Sequence, residues 1–243
     1  MLAICLWSGP RNVSTALMYS FAQRPDTAVV DEPLYGHYLR VSGAAHPGRD
    51  EVMANMDCDG DRVMRALLSP AGERRKPVLF MKHMAHHLVA LDRRFLQRVS
   101  NVLLIRNPRE MLPSLTVQLP DATLKDTGLA VQSELYHELA RRGRRPAVID
   151  SRELLTDPRG VLTALCEYLH VDFDDAMLSW VAGGRPEDGV WAGHWYHAVH
   201  RSTGFSAYAP KSGFPAGLEA LLAECQPHYA ELSRHAIRAR GGE

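Results

Sequence analysis

Apolar positions in this chain gather in short unbroken blocks instead of alternating with polar ones. Five blocks stand out: 2–7 (LAICLW), 27–30 (TAVV), 77–81 (PVLFM), 101–105 (NVLLI) and 147–149 (AVI). Continuous apolar strands of this length suit a parallel sheet covered on both faces. Helical periodicity fills the intervals. The stretch 13–24 places Val13, Leu17, Met18 and Phe21 on one stripe, and 87–98, 127–142 and 158–170 follow the same period. Asp157 can cap the last of these, with Pro158 in the first helical position. A C-terminal helix is expected from about Gly217 to Arg238, bent at Pro227. The alternation predicts a doubly wound α/β fold: a mostly parallel five-stranded sheet flanked by helices. A single domain over residues 1–243 is expected, with two Gly-rich, irregular stretches, 40–61 and 183–215, inserted over a cleft.

Sheets of this kind bind ligands beyond the carboxyl ends of their strands. Ser8, Asp31, Lys82 and Arg106 stand at those ends, followed by Gly9–Asn12, Glu32, His83 and Asn107. The first strand leads into SGPRNVST, residues 8–15. Gly9 permits a tight turn, Pro10 follows, and Arg11 offers a planar guanidinium for bidentate bonds to phosphate or sulfate oxygens. Val13 opens a helix whose unpaired N–H groups and dipole favour an anion, and Ser14 and Thr15 lie on its first turn. The same eight residues also suit an ordinary strand–helix turn with Asn12 as N-cap, and the loop alone leaves these readings even. The glycine-rich loop ending in Lys-Ser or Lys-Thr is missing.

Two further stretches change the balance. NVLLIRNPREMLPS puts Arg106 at a strand end and Ser114 eight residues on, two turns into the next helix. DSRELLTDPRGVLTALCEYLHVDF, residues 150–173, reads as a strand, a Leu-Leu-x-Asp-Pro segment and a helix. Taken in this order the three motifs resemble the sulfotransferase superfamily, which uses 3′-phosphoadenosine 5′-phosphosulfate (PAPS). The resemblance covers about residues 2–180 and implies the P-loop NTPase-like sulfotransferase fold. It implies that Gly9, Pro10, Arg11, Asn12, Val13, Ser14 and Thr15 hold the 5′-phosphosulfate. It assigns the 3′-phosphate to Arg106 and Ser114, and a late nucleotide loop to Arg201, Thr203 and Gly204. The loop is similar to the P-R-x-x-S-T type of bacterial members, whose Glu-Pro after the second strand is matched by DEPLY. Glu32 is then the expected general base. Departures are Arg11 where most cytosolic members carry Lys, and Tyr168-Leu169-His170 for Phe-Leu-Gly. The animal enzymes' Lys-x-His motif is unmatched, since His83 and Met84 follow Lys82.

Glu32 has competing readings: a surface carboxylate, or a partner of Arg11. MKHMAHHL supplies the next candidates. Lys82 is placed to contact the migrating sulfuryl oxygens, and His83 or His86 to act as base near neutral pH; His87 reads as a capping or solvated residue. GHWYHAVHRSTGF spaces His194, His197 and His200 by three, with Trp191, Trp195 and Tyr196 among them. Nothing in it resembles a metal motif, and no metal is expected. The segment reads either as an aromatic cover for the acceptor or adenine, or as core packing of Trp191 and Trp195.

Composition limits the partners. Lys plus Arg (28) balances Asp plus Glu (28), so nothing in the net charge draws the chain to nucleic acid or an anionic membrane. The four cysteines are scattered, without a Cys-x-x-Cys pair, and no signal peptide or spanning segment is evident, which predicts a soluble cytoplasmic protein. The expected partner is a small-molecule acceptor bearing a hydroxyl or amine, with adenosine 3′,5′-bisphosphate as second product; a homo-oligomer is left open. Two other readings are a P-loop nucleoside or small-molecule kinase and a non-catalytic nucleotide-binding homologue. The missing Gly-Lys-Ser/Thr and the lack of a clear Asp for Mg²⁺ weigh against the kinase.

Overall fold

The structure, a computed structural model, describes residues 1–69, 76–210 and 213–238. Residues 211 and 212 of the second insertion lie outside the described residues. Five strands form one sheet: β1 (Leu2–Ser8), β2 (Thr27–Asp31), β3 (Val78–Met84), β4 (Ser100–Ile105) and β5 (Ala147–Asp150). Every pairing is parallel and the spatial order is β2-β3-β1-β4-β5. Twelve α-helices accompany them among the described residues. They are α1 (Ser14–Ala22), α2 (Tyr35–Ser42), α3 (Arg49–Asn55), α4 (Gly60–Leu67), α5 (Pro108–Leu115), α6 (Leu124–Thr127), α7 (Leu129–Arg141), α8 (Ser151–Thr156), α9 (Pro158–Leu169), α10 (Ala192–Trp195), α11 (His197–His200) and α12 (Glu219–Ser233).

The unbroken apolar strands are apolar because both faces are covered. Side chains alternate across a strand, so Ile4, Leu6, Val102 and Leu104 meet Leu17, Met18 and Phe21 of α1 and Leu162 and Leu165 of α9. Cys5, Trp7, Leu103 and Ile105 point the other way, onto Leu135 and Leu139 of α7 and Leu232 of α12. Asp157 caps α9 as expected, its carboxylate accepting from Gly160 N at 2.9 Å.

Several elements depart from the sequence expectation. The stretch 87–98 is not an α-helix. β3 runs three residues further than its apolar block, through Lys82, His83 and Met84, and two short 3₁₀ helices follow, Ala85–His87 and Arg93–Arg98. Ala90 takes a left-handed φ of 46° and Asp92 restarts the chain by accepting from Arg94 N, so no continuous helix can form. The helix expected over 127–142 is split at Gly128, whose φ of 73° ends α6 and opens α7. α12 is shorter at both ends than expected and continues through Pro227. The two insertions are partly helical, holding α3 in the first and α10 and α11 in the second.

Beyond β1 and β4, one side chain ties the core to the cleft. Gln132 of α7 is fully buried, and its Nε2 donates to Trp7 O and Leu104 O, each at 2.9 Å. Asn12 Nδ2 reaches the same Leu104 carbonyl at 2.9 Å. Replacing Gln132 with Met keeps its bulk and removes both donors. Urea denaturation of Gln132→Met should show a loss of about 1–3 kcal/mol; unchanged stability would remove Gln132 as a structural tie.

Candidate active site

The loop after β1 forms the first wall of the site. Val13, not Asn12, occupies the N-cap of α1, and no side chain caps it. Asn12 is drawn aside by its bond to Leu104 O, which removes the N-cap reading of the loop. The first-turn N–H groups of α1 are therefore left to a ligand or water. Ser14 and Thr15, both buried, line the same cleft. Arg11 has a left-handed φ of 56°, uncommon for a residue with a side chain. Its Nε donates to Ser114 Oγ at 2.9 Å, and Arg106 Nη1 donates to its carbonyl at 2.8 Å. Asn107 caps α5 by accepting from Arg109 N, with Pro108 in the first turn, so Arg106 sits where β4 gives way to α5 and Ser114 near that helix's end.

Two guanidiniums thus share one mouth. Burial, then the charge of Arg106, hold the pKa of Arg11 below the usual arginine value. Arg11 has no carboxylate partner among the described residues, while Arg106 has Glu110 Oε2 at 3.4 Å. An anion placed against Arg11 and the open end of α1 would relieve both penalties.

The second wall follows from strand register. Asp31 and Lys82 are Cα partners across β2 and β3, so their side chains stand on one face. Lys82 is almost wholly buried, and its three N–H groups go to Asp31 Oδ1 (2.8 Å), Glu32 Oε1 (2.6 Å) and Tyr196 Oη (2.6 Å). Burial works against this ammonium, and the two carboxylates outweigh it, so its pKa rises. Glu32 takes a left-handed φ of 39° just beyond β2. Burial raises its carboxyl pKa, with Asp31 adding to the rise and Lys82 opposing it. Neither competing reading of Glu32 holds: it is buried and paired with Lys82, not on the surface and not on Arg11. Lys82 is likewise not free to reach a migrating group, because its donors are spent.

One residue further on, the alternation of the strand turns His83 to the opposite face. There it is fully buried and stacks on Trp7, its neighbour in β1, at 4.4 Å between ring centroids. It does not line the cleft, and burial pushes its pKa down to about 3. His83 is therefore a core residue, which corrects its candidacy as base. His86 does reach the cleft, but burial, then the nearby His46, lower its pKa to about 3. His87, stacked between Tyr35 and Tyr38, is pushed down in the same way. Both rings are neutral at physiological pH.

A cleft of about 540 Å³ joins these walls. It is lined by Pro10, Arg11, Asn12, Val13, Ser14, Thr15, Glu32, Lys82, His86, Arg106, Ser114, Arg201 and Gly204. Gly9 and Thr203 are not on its surface. A Cβ on Gly9 would meet Thr127 O at 2.5 Å, so this glycine allows α6 to approach β1, and the Thr203 carbonyl accepts from Trp180 N. Of the aromatic segment, Trp191 is buried against Tyr35 and also lines the cleft, together with the half-buried Trp195. The sequence reading missed the joint role of Asp31 and Tyr196. Asp31 was visible as a polar strand end, whereas the aromatic segment held no signal of its contact with Lys82. Among the described residues no group of three or more His, Cys, Asp or Glu is placed to hold a metal, and no helix is long and apolar enough to cross a membrane.

A strand–helix loop with an uncapped helix start and a buried lysine–carboxylate cluster, both beyond the carboxyl ends of a parallel sheet, belong to an α/β protein of the P-loop-like kind. The family model for the sulfotransferase domain matches residues 2–236, and the chain belongs to that family. Two curated plant proteins are similar in sequence. Branched-chain-amino-acid aminotransferase-like protein 1 of Arabidopsis thaliana is 43% identical over 233 residues, covering 94% of this chain and 41% of its own length. Protein 2 of the same name and organism is 40% identical over 238 residues, covering 97% of this chain and 42% of its own. The chain thus spans about two fifths of the length of these relatives. Among solved structures, the sulfotransferase domain of the curacin biosynthetic pathway has a TM-score of 0.54 at 16% identity, covering 98% of each chain. The sulfotransferase from Alicyclobacillus acidocaldarius also gives 0.54 at 16%, over 96% of this chain and 95% of that one. The sulfotransferase domain of the Synechococcus PCC 7002 olefin synthase gives 0.51 at 19%, over 92% and 93%. These three likenesses show the fold.

The depressed histidines make a prediction. A histidine held neutral in the folded state contributes stability that is complete above its unfolded pKa of about 6.5 and is lost as pH falls toward the folded value. NMR titration should find the His83 and His86 rings neutral from pH 8 down to pH 5, with stability falling below about pH 6.5. Midpoints near the unfolded value would contradict the burial argument.

Proposed function

We propose that the chain is a PAPS-dependent sulfotransferase that acts on a hydroxyl or amine of a small molecule. The observation that carries this reading is the polarity of one cleft, with paired guanidiniums and an uncapped helix N-terminus in one wall and the Glu32 carboxylate in another. The volume suits a small-molecule site. Bound PAPS would supply the sulfuryl group, whose bond to the 5′-phosphate oxygen breaks as the acceptor atom bonds to sulfur.

The residues present fit that cosubstrate. Arg11, the N–H groups opening α1, Ser14 and Thr15 hold the phosphosulfate and steady charge on the leaving phosphate. Arg106 and Ser114 hold the 3′-phosphate; since Ser114 also receives Arg11 Nε, the two phosphate positions are linked through one side chain. Arg201 and Gly204 reach the cleft and complete the nucleotide side, whereas Thr203 supports them through its backbone. Glu32 takes the acceptor's proton, and its raised pKa brings it nearer to the working pH of a general base. His86, neutral, offers a hydrogen bond to the acceptor. The arrangement asks for alignment and charge stabilisation, with no metal. The free cysteines agree with a cytoplasmic setting.

Three variants test the assignment. Glu32→Gln should keep binding of adenosine 3′,5′-bisphosphate and lower kcat by about 10²- to 10⁴-fold; unchanged turnover would remove Glu32 as base. The same bisphosphate at 100 times its Kd should stabilise the parent by about 2.7 kcal/mol, read as a rise in Tm. Arg11→Ala and Arg106→Ala should each lose most of that rise, and a full rise in both would remove the guanidiniums from the nucleotide site.

A further inference from the structure

Tyr196 lies in the segment that crosses the cleft, far from β2 and β3 in sequence, yet its hydroxyl is at the centre of the buried charges. It is one of four groups, with Asp31, Glu32 and Lys82, that share hydrogen bonds out of solvent. Tyr196 Oη accepts from Lys82 Nζ at 2.6 Å and from Trp191 Nε1 at 3.1 Å. Its single proton goes to Asp31 Oδ2 at 2.7 Å; Glu32 Oε1 is further off, at 3.4 Å. The Lys82 ammonium also lies 4.9 Å from the centroid of the Tyr196 ring. Every hydrogen-bonding position of the phenol oxygen is filled. Burial, Asp31 and Glu32 hold its pKa well above the ordinary tyrosine value, so it is neutral and takes no part as a base.

We propose that Tyr196 is a positioning residue for Glu32. The crossing segment delivers a phenol that fixes Lys82 and Asp31, so that one oxygen of Glu32 is clamped and the other is left to the cleft. This rests on the sulfuryl-transfer reading for the role of Glu32 as base, though not for the geometry. Oε1 of Glu32 carries the bond from Lys82, and Oε2 has no protein donor among the described residues. Without the phenol, the third N–H of Lys82 and Oδ2 of Asp31 both lose a partner inside a buried cluster, which is costly for charged groups. The ammonium would then be free to swing between the two carboxylates, and Glu32 would lose its single orientation.

The segment is itself held to the helix that opens the anion site. Asp188 accepts from Tyr19 of α1 at 2.7 Å, from Arg185 N at 2.9 Å and pairs with His200 Nε2 at 2.9 Å. Trp191 packs edge-on against Tyr35 of α2. These contacts flank Tyr196 in the chain and tie its segment to the helix whose N-terminus opens on the cleft. The titratable groups facing Glu32 are Asp31 from β2, Lys82 from β3, Tyr35 from α2 and Tyr196 from the segment.

The test is the ionisation of Glu32 in the free protein, followed by ¹³C NMR of labelled glutamate carboxyls and assigned with Glu32→Gln. Tyr196→Phe keeps the ring and removes the hydroxyl. Losing a donor from the carboxylate cluster disfavours its charged form, so the Glu32 midpoint should rise by about half to one pH unit. In turnover, kcat should fall about tenfold and the acid limb of kcat/KM should move up with the midpoint. KM for PAPS should stay within about twofold, because the phosphate residues are untouched. A folded Tyr196→Phe with the parent's midpoint and kcat would overturn the proposal. Should that variant not fold, Trp191→Phe decides. It removes the 3.1 Å donor to Tyr196, together with part of the ring that meets Tyr35, and should move the midpoint in the same direction by less; no movement would overturn the proposal equally. If the parent neither binds adenosine 3′,5′-bisphosphate nor transfers a sulfuryl group, the sulfotransferase reading fails, and the NMR titration still decides whether Tyr196 positions Glu32.

Discussion

A lysine ammonium buried at the end of an inner strand is the constraint around which the cleft is built. An ion of that size, taken out of water, must find both countercharge and a partner for each N–H. Lys82 finds them on two stretches of chain: Asp31 at the end of β2 with Glu32 just past it, and Tyr196 on the segment above. The parallel register of β2 and β3 supplies the first of these by making Asp31 and Lys82 neighbours. The second is supplied by Glu32, the next residue, whose N–H donates to Lys82 O at 2.8 Å and keeps it beside that strand. The third can be met only if the segment around 191–196 lies across the sheet edge. The need to satisfy one buried charge therefore dictates where the cover of the cleft must lie.

The opposite pole of the cleft has the reverse electrostatics. There the backbone leaves N–H groups unpaired at the start of α1, and Arg11, without a carboxylate partner among the described residues, lies beside Arg106, which has Glu110. The Arg11 charge stays uncompensated until an anion arrives, whereas the carboxylate pole is already compensated. In the proposed reaction this asymmetry has a use: the leaving group gains negative charge at the positive pole while a proton is released at the other. Both poles stand on rigid elements, strand ends and a helix start, which suits a transfer that depends on alignment. Tyr19, on the helix of one pole, anchors through Asp188 the segment that completes the other.

Strand positions were readable because a two-face parallel sheet demands apolar side chains at successive positions, a demand visible in any window of the chain. The end of β3 was less readable. Lys82 and His83 look like residues that have left a sheet, since a charge and an imidazole seldom continue an apolar strand. In the structure they do continue it, and the period of two sends one to the cleft and the other onto Trp7. The apparent helix over 87–98 failed for a related reason: Leu88, Leu91 and Leu96 are spaced as in a helix, while the left-handed Ala90 breaks the backbone between them. In the loop SGPRNVST the chemistry of the side chains is local and legible, while the bond from Asn12 to Leu104 O, which excludes Asn12 as N-cap, is a contact across 92 positions. Glu32 was placed by its motif, but its burial and its dependence on Tyr196 come from contacts across 164 positions of chain, beyond the reach of local pattern.

Sulfuryl transfer from PAPS in this cleft is open to direct observation. Its most direct measurement is mass spectrometry of a panel of hydroxyl- and amine-bearing small molecules incubated with the protein and PAPS. At least one acceptor should gain the mass of a sulfuryl group, in step with release of adenosine 3′,5′-bisphosphate. Absence of any sulfuryl gain across the panel, with a phosphoryl gain when ATP and Mg²⁺ replace PAPS, would contradict it and establish a phosphoryl-transfer enzyme on the same fold.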